Sequence, residues 1–68
     1  MITKKSTRAE VMAAVTENGL TLKDASEQFK NDKEIVLAAL AQNGLALKYA
    51  SEELQKDSEV VYAGMAEF

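Results

Sequence analysis

The sequence predicts an all-α protein: five short helices arranged as two and a half 25-residue helix-hairpin repeats in a small solenoid-like bundle. Three observations predict it. Residues 7–31 align with residues 32–56 without a gap, and eleven of the 25 positions are identical. Residues 57–68 then overlay residues 32–43 with five identities in 12. A fixed period of roughly 20 to 50 residues marks an architecture of stacked repeats. Second, the chain has no proline and only three glycines, and alanine and leucine are abundant, which favours helix. Third, each copy opens on a helix-capping residue, and the first two share an Asn-Gly-Leu stop.

The elements follow in order. Thr7-Arg8-Ala9-Glu10 fits the capping box S/T-x-x-E, so the first helix is expected over 8–18. Asn18-Gly19-Leu20 ends it. A glycine there suits a left-handed stop, with the following leucine packing back on the helix. The second helix is expected over 21–30, with Leu22, Ala25 and Phe29 on one face. Asp32 is a good N-cap for a third helix over 33–43. Ile35-Val36-Leu37-Ala38-Ala39-Leu40 is apolar around most of that helix, which predicts burial. Asn43-Gly44-Leu45 repeats the stop, and a fourth helix is expected over 46–55. Asp57 caps a fifth over 58–67. Ala25-Ser26 and Ala50-Ser51 read as small mid-helix residues that let helix axes approach closely.

The stretch Asp32–Leu54, and most of all Asn43-Gly44-Leu45-Ala46-Leu47-Lys48-Tyr49-Ala50-Ser51, resembles a bacterial repeat domain of unknown function, DUF4116. Thr7–Phe29 is a weaker copy, with Asp24 where tyrosine is usual and Phe29 where leucine is. Asp57–Met65 is a partial third copy. The resemblance spans nearly everything after residue 6. It implies small helical repeats found in bacterial and mobile-element settings. It implies no established activity and carries over no catalytic residue.

Composition narrows the function classes. Sixty-eight residues make one domain, read as a flexible basic tail over 1–6 and a helical-repeat domain over 7–68. With no cysteine and no histidine, neither disulfides nor zinc sites with Cys or His ligands can staple so small a core. No apolar run reaches the length of a membrane span, and Met1–Ser6 leads into no apolar signal segment. A cytoplasmic location is expected. The net charge is −3. Residues 1–8 hold Lys4, Lys5 and Arg8 without an acid, whereas residues 9–68 hold five basic and eleven acidic groups. An acidic body repels phosphate, so a helix-turn-helix reading of the hairpins is disfavoured.

Enzymatic chemistry finds no foothold. General acid–base work would fall to carboxylates, lysine or tyrosine. Glu52 and Glu53 point about 100° apart on a helix, and Asp57 and Glu59 are explained by capping. The Asn-Gly-Leu turn has no calcium-ligand ladder. Neither a metal nor a cofactor is expected. What remains is protein–protein interaction of a non-enzymatic kind, for instance a small phage or mobile-element inhibitor docking on a host or defence protein. The alternative is a structural module whose product is a homodimer through helix 58–67. Tyr49, Tyr62, Met65 and Phe68 are the candidate contacts. Lys4, Lys5 and Arg8 form a possible electrostatic arm.

Overall fold

The computed structural model describes residues 2–65. Among them the regular elements are all helical, as expected. Helix α1 covers Arg8–Glu17 and α3 covers Lys33–Gln42. Each is followed by a six-residue 3-10 helix, Gly19–Asp24 or Gly44–Tyr49, and then by one short turn of α-helix: α2 (Glu27–Lys30) or α4 (Glu52–Gln55). Helix α5, Ser58–Met65, begins a third round. The order α, 3-10, α thus occurs twice, at the 25-residue offset of the sequence identities.

The predicted capping chemistry is in place. The Thr7 backbone N–H donates to Glu10 Oε1 at 2.7 Å, and the Glu10 N–H donates to Thr7 Oγ1 at 3.3 Å, which closes the capping box. Asp32 Oδ1 accepts from the N–H groups of Glu34 and Ile35. Asp57 Oδ1 accepts from those of Glu59 and Val60. Each bond satisfies one of the donors that a helix start leaves open.

Two expectations are corrected. Neither glycine stop is left-handed: no glycine among the described residues has a positive φ. The α-helices end because Asn18 (φ −150°, ψ 105°) and Asn43 (φ −156°, ψ 109°) are extended. The same asparagines start the next element, since Asn18 Oδ1 accepts from Leu20 N–H at 3.1 Å and Asn43 Oδ1 from Leu45 N–H at 3.0 Å. Gly19 is needed for another reason. It is buried, and a Cβ built on it would collide with the carbonyl oxygen of Ala39 and stand 3.2 Å from the Ala39 carbonyl carbon. The Gly19 N–H also donates to Gln42 Oε1 at 2.6 Å. Glycine here allows one repeat to touch the backbone of the next.

The second correction concerns the helices expected over 21–30 and 46–55. Each is broken. Ala25 (φ −76°, ψ 160°) and Ser26 (φ −68°, ψ 161°) are extended, as are Ala50 and Ser51. The alanines at the breaks are buried, so the small side chain permits close packing at an extended residue and not at a helical crossing. Ser51 is not mid-helix: its Oγ accepts from Leu54 N–H at 3.2 Å as the cap of α4. It also donates to Asn31 Oδ1 at 2.7 Å, while the Ser51 N–H donates to the Lys30 carbonyl at 3.0 Å. Serine hydroxyls compete with helical bonding in just this way.

Helix α3 is the centre of the fold, as its composition predicts. It packs against α1, α5 and both 3-10 helices, and buries Ile35, Val36, Ala39 and Leu40. Val11 and Val15 from α1, Leu22, Ala25, Ala46, and Val60 from α5 complete the fully enclosed set. The segment expected as a solvated tail also contributes. Ile2 is only 7% exposed and joins the core, and Thr3–Ser6 close a turn in which the Ser6 N–H donates to the Thr3 carbonyl.

A charged clasp joins successive repeats. Arg8 Nε donates to Asp32 Oδ2 at 2.9 Å, and the same guanidinium bonds Glu34. Twenty-five residues later Lys33 Nζ pairs with Asp57 at 3.2 Å and Glu59 at 2.6 Å. A base on the first turn of one repeat therefore holds the cap carboxylate of the next. Arg8, expected in a free electrostatic arm, is committed to this clasp; Lys4 and Lys5 are exposed.

Candidate functional site

An open apolar feature lies at the α5 end of the molecule, where α5 meets the second 3-10 helix. A groove of about 440 Å³ is lined there by Leu45, Leu47, Lys48, Val61, Gly64 and Met65, among others. Leu45, Met65 and Tyr62 are exposed by 60%, 61% and 77%. These are the exposed large hydrophobics among the described residues. Lys48 is the one charged residue in the lining.

The internal repeat explains why such residues stand here. Each position has a counterpart 25 residues earlier. Met65 corresponds to Leu40, Val61 to Val36 and Leu47 to Leu22, and all three counterparts are fully buried. Leu45 corresponds to Leu20, which packs against the core. In the earlier register the second 3-10 helix covers the first, and α5 lies against α3. In the last register no such layer is present among the described residues. Residue types that are buried one repeat earlier are therefore only half-buried at Leu47 and Val61 and exposed at Met65.

The candidate contacts fall in different places. Met65 lines the groove, and Tyr62 lies one turn before it on α5, so the two are neighbours on the helix surface. Tyr49 is not part of the groove lining. It is half-buried against the core, with Lys48 Nζ 5.2 Å from its ring centroid. Phe68 lies outside the described residues. Lys4 and Lys5 are exposed on the N-terminal turn. The sequence reading missed Leu45, which it assigned to packing back on the preceding helix. Comparing each repeat position with its neighbour's environment was the only available signal, and it needs the structure.

The electrostatics of the chain belong to the clasps and not to the groove. Hydrogen bonding from Arg8 holds the Asp32 carboxyl below its ordinary value, and that from Lys33 does the same for Asp57. The Lys33 ammonium is raised, first by Glu59 and then by Asp57, and the Arg8 guanidinium by Asp32 and then Glu34. These groups are solvent-facing structural pairs. Among the described residues no cluster of three or more acidic groups is placed to hold a metal, and no buried side-chain polar atom lacks a partner. No helix there is long and apolar enough to cross a membrane.

Comparison with known proteins bears on the repeat and not on an activity. No curated protein and no solved structure matches the chain. The family described as a domain of unknown function, DUF4116, matches in two overlapping stretches, residues 10–55 and 32–63. Together these stretches take in both full repeats from Glu10 onward and most of the third, and the chain belongs to the DUF4116 family.

Proposed function

We propose that the protein is a non-enzymatic interaction module that docks a protein partner through its α5 end. One observation carries this reading. Leu45, Val61 and Met65 occupy repeat positions whose counterparts are packed or buried, yet they line an open groove. Leu45, Tyr62 and Met65 give this end the exposed apolar side chains on which a contact site draws. Tyrosine and methionine beside it are residue types enriched at such sites. The groove's single charge, Lys48, sits at the side of an otherwise apolar lining, so the partner surface it favours is apolar.

Catalysis is left out of the proposal because the chain has neither histidine nor cysteine, and its paired carboxylates are occupied as caps and clasps. A groove-reading role on nucleic acid is also set aside. The segment 46–55 that would serve as recognition helix is broken at Ala50-Ser51, and the body beyond residue 8 is acidic.

Site-specific photocrosslinking tests the proposal. A benzophenone side chain at Tyr62 should give discrete protein adducts in cells. The same probe at Thr16, on exposed α1 surface, should not. Adducts at 62 should disappear when Leu45→Glu is added. Equal labelling from both positions, or none from either, would reject an α5-end docking site.

A further inference from the structure

We infer that Asn43-Gly44 is a site of spontaneous deamidation, and that the fold protects the matching pair Asn18-Gly19 from the same reaction. The chain carries Asn-Gly twice, at the repeat offset. A glycine nitrogen has no neighbouring side chain to hinder its attack on the preceding asparagine amide.

Two steps make up the reaction. Hydroxide removes the Gly44 N–H proton, and the nitrogen bonds to Asn43 Cγ. The Cγ–Nδ2 bond breaks, and ammonia leaves after taking a proton from water. Water then opens the resulting five-membered imide. Attack at Cγ gives aspartate. Attack at the main-chain carbonyl gives isoaspartate, in which the chain runs through Cγ. One water is consumed and one ammonia released, with no change in oxidation state.

The electrophile is prepared alike in both pairs. Asn18 (φ −150°, ψ 105°) and Asn43 (φ −156°, ψ 109°) share an extended backbone. Each Oδ1 accepts an N–H from two residues on, Leu20 at 3.1 Å or Leu45 at 3.0 Å. Such a donor polarises the side-chain carbonyl and stabilises the oxyanion that forms on Oδ1 during attack.

The nucleophile is not prepared alike. To reach Cγ, the glycine peptide must turn about the asparagine Cα–C bond. At Gly19 that turn is opposed twice. The N–H is held by Gln42 Oε1 at 2.6 Å, and the residue abuts the Ala39 carbonyl. Turning would break the first contact and press the peptide into the main chain of α3. Gly44 is also shielded by its neighbours, but it lines the open groove between the second 3-10 helix and α5. That space gives its peptide room to turn.

Either product places a carboxylate at residue 43, next to Gly44 and Leu45 of the groove lining. Isoaspartate also lengthens the main chain by a methylene where α3 gives way to the 3-10 helix. Amide loss therefore alters this end of the molecule and leaves the Asn18 end unchanged.

Timed incubation of the full chain at mildly alkaline pH, followed by trypsin digestion and mass spectrometry, tests the inference. Cleavage after Arg8, Lys23, Lys33 and Lys48 puts the two asparagines on separate peptides, 9–23 and 34–48. In the folded chain Asn43 should lose its amide roughly ten times faster than Asn18, the ratio that about 1.4 kcal/mol of barrier gives. In concentrated urea the two rates should converge, because Gly-Leu follows each asparagine. Gln42→Ala should speed loss at Asn18 in the folded chain while the helical circular dichroism is retained. Isoaspartate in peptide 34–48, read by enzymatic methylation of its carboxylate, identifies the imide route. Equal rates in the folded chain, a faster Asn18, or an Asn43 that stays intact would overturn the site. A Gln42→Ala variant with an unchanged Asn18 rate would overturn the protection.

Discussion

Gly19 packs its backbone against the carbonyl group of Ala39, so closely that a methyl group at residue 19 would overlap the oxygen. The two residues come from successive repeats. The obstacle is backbone of the central helix α3, which cannot swing aside as a side-chain end can. Gly19→Ala is therefore expected to destabilise the fold by about 1–3 kcal/mol, the usual cost of overpacking. In a chain of this size each kcal/mol lowers Tm by roughly 4–8 °C, so a thermal melt reads it directly.

Gly64 makes the opposite case. A Cβ there would stand 3.4 Å from Leu47 Cδ2 and 3.6 Å from Leu40 Cδ2, which is ordinary contact. The residue lies within α5, and its counterparts Ala14 and Ala39 are alanines. Removing a helix-interior glycine should gain about 0.5–1 kcal/mol. Urea unfolding of Gly64→Ala should show a raised midpoint with the slope unchanged; a lowered midpoint would mean that α5 sits closer to its neighbours than the structure has it.

Ser51 and Ser26 occupy the same repeat position but do different work. Ser51 caps α4 and bonds Asn31, whereas Ser26 makes no side-chain cap bond. Ser51→Ala should cost about 1 kcal/mol, as the loss of a helix cap does. Ser26→Ala should stay within about 0.5 kcal/mol, as surface changes do. Paired denaturation curves decide, and equal effects would remove the distinction.

The clasps set a pH dependence. Asp32 and Asp57 titrate below their ordinary value of 3.8 in the folded chain. A depressed carboxylate pKa contributes stability that is present above the unfolded value and is lost as pH falls through the folded one. Stability should therefore decline from about pH 5 downward. Lys33 is raised above 10.5, so its contribution persists until pH passes that value on the alkaline side. Urea midpoints of wild type and the Arg8→Ala, Lys33→Ala double variant, compared from pH 6 to pH 2, should converge towards the acid end. Parallel curves would show that the clasps carry no linkage.

Ile2 tests whether the N-terminal turn is part of the domain. Its burial predicts that Ile2→Ala costs about 2 kcal/mol or more, in the range for truncating a core aliphatic. Leu45→Ala, at an exposed position, should cost less than about 0.5 kcal/mol. A neutral Ile2→Ala in a melt would return residues 2–6 to the status of a loose tail.

The order of stability and exposure across the repeats was only partly legible beforehand. Local chemistry determined the all-α class, the 25-residue repeat, the caps at Thr7, Asp32 and Asp57, and the burial of the helix around Ile35–Leu40. These features depend on residues within a few positions of one another, or on a period that identity alone reveals. Tertiary structure decided the rest. Helical propensity predicted continuous helices over 21–30 and 46–55, yet the pull of Ala25 and Ala50 into the core and the capping by Ser51 break them. Glycine's backbone freedom predicted a left-handed stop, but contact with a carbonyl 20 residues away is what excludes a side chain at Gly19. The identical leucines Leu20 and Leu45 cannot be told apart in the sequence. Only the presence of a covering layer over one register and not the next leaves the first half-buried against the core and the second exposed.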